Sequence, residues 1–190
     1  NASPYDIQKN ETRKEIVMKK ALKLNVPIIY LNMVGGQDEL VFDGGSFVVD
    51  DLGEIIYQAS SFKEEVFHLD IDLKIKKQND KSSLLIRPTT IELKDIKSKP
   101  SMSENESIYS ALKLGLLDYV SKNKFTKVLI GISGGIDSAL TAAICVDALG
   151  AQNVIGVAMP SKYNSKDSLD DAIKLSTNLG IKLKTIEIET

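Results

Sequence analysis

Between Lys9 and Leu24 the apolar residues Ile16, Val17, Ala21, Leu22 and Leu24 stand among lysines and glutamates, a spacing that predicts an amphipathic helix over 9–24. Pro27 follows, and the run Ile28-Ile29-Tyr30-Leu31 predicts a short buried strand that Gly35-Gly36 breaks. Leu40-Val41-Phe42, Ser46 to Val49 and Glu54 to Ala59 predict further strands, the last two joined by the hairpin signal Asp50-Asp51-Leu52-Gly53. Val66 to Ile71 alternates apolar and polar, as a half-buried strand does. The first block thus reads as helix, strand and β-meander. Residues 74–105 are dominated by Lys, Ser, Asn and Asp with Pro88 and Pro100 inside, which reads as a solvated linker.

Beyond it the period changes. Ser103-Glu104-Asn105-Glu106 has the form of a capping box and opens a helix with Ile108, Ala111, Leu112, Leu116, Leu117 and Val120 on one side. Lys127 to Ile132 predicts a strand, Ile136 to Leu149 an apolar helix stopped by Gly150, and Asn153 to Met159 a second strand. Ser168-Leu169-Asp170-Asp171 is a second capping box, ahead of Ala172, Ile173, Leu175 and Leu179 at helical spacing. Gly180 ends that helix and Leu183 to Ile188 predicts a third strand. The order β-α-β-α-β with short connections implies a parallel sheet in a doubly wound α/β domain, cut short after three strands.

Composition changes this picture little but removes some functions. The 190 residues carry 43% hydrophobic and 26% charged positions, ordinary for a globular chain with a core. The 24 basic and 26 acidic residues give a net charge of −2, which argues against a nucleic-acid-binding surface. One cysteine allows no intrachain disulfide, and no apolar run is long enough for a membrane span, so a cytoplasmic protein is expected. The chain opens on Asn1-Ala2-Ser3-Pro4, with neither an initiator Met nor a signal-peptide pattern, and is expected to be part of a longer one.

The chemistry concentrates in Gly131-Ile132-Ser133-Gly134-Gly135-Ile136-Asp137-Ser138, between a predicted strand and a predicted helix. Strand ends of open α/β sheets are where ligands bind. Glycines let the backbone approach an anion closely, and the helix N-terminus adds N–H groups and partial positive charge. Ser133 and Ser138 can add hydroxyl donors. A carboxylate beside phosphates repels them, so Asp137 makes sense as a holder of a divalent cation that bridges them. The loop has no lysine, which sets it apart from the Walker type. A ligand-free glycine turn with an ordinary Ser/Asp cap is the plain alternative.

The string Ser133-Gly134-Gly135-Ile136-Asp137-Ser138 resembles the pyrophosphate loop of the N-type ATP pyrophosphatases, which adenylate an oxygen of their substrate and expel pyrophosphate. The stretch Met159-Pro160-Ser161-Lys162-Tyr163-Asn164-Ser165, with Ser168 and Asp171-Ala172, is similar to the segment after the second strand of NAD synthetases. Asn1-Ala2-Ser3-Pro4-Tyr5 and Gly35-Gly36-Gln37-Asp38-Glu39-Leu40-Val41-Phe42-Asp43-Gly44-Gly45-Ser46 resemble the C-terminal half of a nitrilase-type glutaminase domain. That order of parts is the one found in the glutamine-dependent NAD synthetase family.

The resemblance implies the C-terminal half of a nitrilase-like α-β sandwich over 1–76, a linker over 77–103, and the start of an adenine nucleotide alpha hydrolase-like, doubly wound parallel-sheet domain over 104–190. It implies ATP-dependent amidation of deamido-NAD with glutamine as nitrogen donor and Mg²⁺ as cofactor, in a homo-oligomer that works on small molecules and on neither nucleic acid nor membrane. ATP would meet Gly131, Ile132, Ser133, Gly134, Gly135, Ile136, Asp137 and Ser138, with adenine against the backbone at Val157 and Met159, and Asp137 would be the metal ligand. Glutamine would be held by Ser3 and by Lys9, the basic residue six positions on. From the residues alone, Ser3 is equally a turn residue before Pro4, and Lys9 a surface helix charge.

Lys162 and Lys166 stand near enough to help neutralise phosphates or simply to be solvated, and Ser165, Ser168 and Asp171 are readable as helix caps. The family's glutaminase Cys, Glu and Lys fall upstream of Asn1, so no catalytic residue is assigned and these residues alone are expected to be inactive. Cys145, among Ala142, Ala143, Ile144 and Val146, reads as a buried, inert thiol, and His68 as a structural histidine on a β-run. Two alternatives stay open: another amidating or tRNA-modifying ATP pyrophosphatase, and a non-catalytic nucleotide-binding module.

Overall fold

The computed structural model describes residues 1–76, 85–92, 102–160 and 166–188. The chain divides into two compact units, Asn1–Gly35 with Leu40–Ile108, and Gly36–Glu39 with Tyr109–Thr190.

The first unit is built on helix α1 (Lys9–Leu24) and strands β1 (Ile28–Tyr30), β4 (Phe47–Val49) and β5 (Ile55–Gln58), which form an antiparallel sheet in the order β1-β4-β5. Side chains alternate across a strand. Phe47 and Val49 of the central strand therefore face Val17 and Ala21 of α1, while Val48 faces Tyr57 and Ala59 on the other side. All three residues of β4 are inaccessible to solvent, each burial contributing about 1.5–3 kcal/mol. The hairpin signal between β4 and β5 is honoured: the Asp50 carboxylate accepts from the N–H groups of Leu52 and Glu54 at 3.0 and 2.8 Å. Strands β2 (Val34–Gln37) and β3 (Leu40–Asp43) form a separate hairpin. Gly35-Gly36, expected to break a strand, lie inside β2.

Two further expectations need correction. The buried face of α1 runs through Arg13, Lys14, Val17 and Ala21, while Ile16, Leu22 and Leu24 are about half exposed or more. The apolar stripe was out of phase because Arg13 and Lys14 are buried with partners, Asp43 and Glu11. The strand read at Val66–Ile71 starts later: β6 is Asp70–Lys76, paired antiparallel with β7, Leu85–Glu92, so a strand lies within the stretch read as a linker. The rest of that stretch, residues 77–84 and 93–101, lies outside the described residues. His68 is exposed and precedes β6 rather than sitting on it.

In the second unit α2 (Glu104–Lys122) leads into β8 (Val128–Gly131), α3 (Ile136–Leu149), β9 (Val154–Ala158), α4 (Lys166–Leu179) and β10 (Lys182–Thr185). The three strands are parallel in the order β10-β9-β8, the first half of a doubly wound sheet. Ile132, Ala142, Cys145, Val154, Ala172 and Ile181 form its core, with Leu116, Ile130, Val146 and Leu183 against it. Gly156 in the central strand makes room for that packing, since a Cβ there would lie 2.6 Å from Ile132 Cδ1. Ser103 caps α2 as its box predicts, its hydroxyl accepting from Glu106 N–H at 3.3 Å. The second box does not open its helix: α4 starts at Lys166, which places Ser168 inside the first turn. No helix among the described residues is long and apolar enough to cross a membrane.

Candidate nucleotide and amide-donor sites

β8 ends at Gly131, whose register partner on β9 is Val157. The chain then turns through Ile132, held by a 2.9 Å bond from its N–H to the Val157 carbonyl, and enters α3 with Gly135 in extended conformation (φ −86°, ψ 161°) as N-cap. Gly135 offers no side chain to its own helix, so the first-turn N–H groups of Ile136 and Asp137 have no partner within α3. They point out of the helix start, where partial positive charge gathers.

The serines shape this turn. Ser138 Oγ–H donates to Gly135 O at 2.9 Å, and Ser138 Oγ accepts from Ser133 N–H at 3.3 Å. Ser133 Oγ accepts from Gly135 N–H at 3.3 Å and lies 3.2 Å from Ser138 Oγ. With the Ser138 hydrogen on Gly135 O, the 3.2 Å contact uses the Ser133 hydrogen, so both hydroxyls are tied within the turn. Gly134 has φ +84°, a left-handed conformation that disfavours a side chain. A Cβ there would lie 2.4 Å from Ser168 O and 2.9 Å from Ser168 Cα, so the turn rests directly on the backbone of α4.

Beside the turn lies a cleft of about 200 Å³ lined by Gly131, Ile132, Ser133, Ala158, Met159, Pro160, Ser168, Leu169 and Ala172. Its walls are mostly apolar, with polar atoms at the serine end. Of the residues matched to adenine, Met159 lines the cleft and Val157 does not; the Val157 carbonyl is already engaged by Ile132. Ser168 and Ala172 belong to the stretch that resembles the NAD synthetases, and Leu169 to the capping box between them. They become cleft walls because α4 starts two residues ahead of its apparent cap. Lys162 and Ser165 lie outside the described residues.

Asp137 is exposed on the first turn of α3. No group of three or more acidic, His or Cys side chains comes together among the described residues. A lone carboxylate at a phosphate-sized turn suits Mg²⁺, which commonly takes one or two carboxylates and fills its remaining positions with phosphate oxygens and water. Cys145 sits 5% exposed on α3, and burial pushes its thiol pKa up, so the neutral, unreactive form prevails.

In the first unit the stretch Asn1–Tyr5 is clamped rather than loose. Ser3 N–H donates to Asn32 Oδ1 at 2.9 Å, and Asn32 Nδ2 donates to Ser3 O and Gly44 O. The Arg13 guanidinium donates to Ser3 Oγ, Ser3 O and Pro4 O and forms a two-pronged ion pair with Asp43, both N–O distances 2.8 Å. Arg13 is 6% and Asp43 3% exposed. Removing one partner of such a buried pair costs about 3–5 kcal/mol. The structure thus joins Ser3 to Arg13, Asn32 and Asp43, none of which the sequence singled out. Lys9 is half-buried on the first turn of α1.

Residues 108–190 match the NAD synthase family model and residues 10–77 the carbon-nitrogen hydrolase model. A glutamine-dependent NAD(+) synthetase of Thermotoga maritima is 44% identical over 99% of the chain and 36% of its own length. A second, from Synechocystis, is 42% identical over 99% and 31%. The solved glutamine-dependent NAD+ synthetase of Acinetobacter baumannii in complex with ADP superposes with a TM-score of 0.84 at 39% identity, over the whole chain and 33% of its own. The chain spans about a third of the length of the relatives it matches.

Proposed function

We propose, from the premise that this chain belongs to the NAD synthase family over residues 108–190 and to the carbon-nitrogen hydrolase family over residues 10–77, that it is an internal third of a glutamine-dependent NAD(+) synthetase. Residues 1–76 supply the later part of the glutaminase domain and residues 104–190 the start of the synthetase domain. The stretch 77–103, which contains β7, joins them. The full-length protein is read as a cytoplasmic homo-oligomer whose substrates are ATP, deamido-NAD and glutamine.

The reaction follows from the chemistry of its substrates. A carboxylate is a poor acyl donor at neutral pH because its leaving group would be oxide or hydroxide. An oxygen of the nicotinate carboxylate attacks the α-phosphorus of ATP, the bond to the β-phosphate oxygen breaks, and pyrophosphate leaves with the electron pair. Ammonia freed from glutamine then attacks the acyl carbon, AMP departs and a proton is lost, leaving the amide of NAD.

The turn 131–138 does its work by position and charge. The N–H groups of Ile136 and Asp137 meet the β- and γ-phosphates, where negative charge grows as pyrophosphate leaves, and the Ser133 hydroxyl joins them by turning away from Ser138. Asp137 would hold Mg²⁺, which supplies charge neutralisation for the leaving pyrophosphate when bound. The apolar cleft between Met159, Pro160, Leu169 and Ala172 takes the adenine, a flat and mostly apolar ring.

The observation that carries this reading is the lysine-free turn opening an α-helix directly beside an apolar cleft. In the full-length protein, Asp137→Asn is expected to cut pyrophosphate release by about 100-fold or more, with glutamine hydrolysis assayed alone largely spared. Near-wild-type NAD formation by that variant, or ADP and orthophosphate as products, overturns it.

A further inference from the structure

The second unit takes in a short piece from early in the chain, Gly36–Glu39 at the tip of the β2–β3 hairpin. Gly36 is buried there on α2. Its N–H donates to Asp118 Oδ2 at 2.7 Å, and Lys122 Nζ donates to its carbonyl oxygen. Asp118 and Lys122, about one helical turn apart, also pair with each other at 3.0 Å. Both backbone polar groups of one residue are thus answered by opposite charges, and hydrogen bonds to charged groups are the strong ones. The approach is close: a Cβ on Gly36 would lie 3.1 Å from Asp118 Cβ and 3.2 Å from Gly115 Cα. Leu116, beside this contact, packs on the core around Ile132, the residue that opens the phosphate turn.

From Gly36 the hairpin returns along β3 to Asp43, whose carboxylate holds the Arg13 guanidinium that binds the Ser3 and Pro4 carbonyls. We infer that Asp118 and Lys122 are positioning residues, a latch on the Gly36 peptide through which the nucleotide turn sets the rate of glutamine hydrolysis. The inference rests on the proposed reading of residues 1–76 as glutaminase and 104–190 as synthetase, and it adds the residues that tie the two activities together. The chemistry supplies the need. Ammonia freed before an acyl-adenylate is present is lost to solvent, and its glutamine is wasted. The latch has a closed state, with both bonds to Gly36 made, and an open state, with those groups on water. The Lys122 side chain is 51% exposed, so water competes for its bond and a bound nucleotide can bias one state over the other.

The test uses the full-length enzyme as wild type, Asp118→Ala, Lys122→Ala and Gly36→Ala. The last keeps both charges and crowds the peptide off the helix. Each preparation is assayed for ammonia-driven NAD formation, for glutamine hydrolysis without ATP and deamido-NAD, and for glutamine hydrolysis with both. In the wild type the two nucleotides are expected to stimulate hydrolysis, with little glutamine consumed beyond the NAD formed. In each variant the stimulation is expected to fall about fivefold or more, with glutamine consumed in excess of NAD. Ammonia-driven NAD formation and unstimulated hydrolysis stay within about twofold of wild type, a split that a merely structural contact does not produce. Wild-type stimulation and glutamine use in the variants overturn the latch, as does a parallel fall of all three rates or a wild type that forms NAD without stimulated hydrolysis. A wild type that forms no NAD from deamido-NAD, ATP and ammonia overturns the proposed function beneath it.

Discussion

Gly134 combines two demands at one position: a φ of +84° and a backbone neighbour, Ser168 O, 2.4 Å from where a Cβ would be. The first costs a side-chain-bearing residue about 1–3 kcal/mol, and the second can be relieved only by moving the turn or α4. Gly134→Ala in the full-length protein is therefore expected to lower its melting temperature and weaken ATP-dependent pyrophosphate release by at least about tenfold. Wild-type release rates in that variant would show that the turn tolerates displacement. The residues of this turn were legible in the sequence because their chemistry is local: glycines, hydroxyls and one carboxylate within eight positions. The Arg13–Asp43 pair was not, since its partners stand thirty positions apart. A lysine- and arginine-bearing helix also reads as solvated until a buried acceptor for it is seen. Ser138 adds what the sequence does not carry, a hydroxyl bonded to Gly135 O that ties the turn to the start of its helix.

Elements with their own start and stop signals came through well. α2 begins at its capping box and α3 ends at Gly150, whose φ is 82°. For α2 the start depends on one hydroxyl, Ser103 Oγ accepting from Glu106 N–H. Ser103→Ala is expected to cost about 1 kcal/mol, read as a shift of the denaturant midpoint with an unchanged slope. An unshifted midpoint would mean that water serves that N–H equally well. Signals that lean on hydrophobic period alone were weaker. The phase of α1 slipped because two of its inward positions are charged, and β6 began after its apparent run because β7, its partner, was hidden in a polar stretch. α4 outran its capping box by two residues, which is what turned Ser168 and Leu169 from helix start into cleft wall.

At the scale of the molecule, the change of period near residue 103 separates helix and antiparallel strands from an alternating β-α-β-α-β run. It said nothing of the antiparallel order β1-β4-β5, which depends on pairing β1 with a strand seventeen or more positions away. With about a third of its relatives' length present, the chain is expected to form no NAD by itself from deamido-NAD, ATP and glutamine. Any product above background, followed by chromatography of the nucleotides, would show that prediction to be wrong. The contact between Gly134 and the backbone of Ser168 has one more consequence. With no clearance there, a residue inserted or deleted anywhere from Lys166 to Ser168 would shift the cleft wall at Ser168 and Leu169 and the glycine turn at once. Length variation between β9 and α4 has to be absorbed ahead of Lys166, where it leaves both surfaces in place.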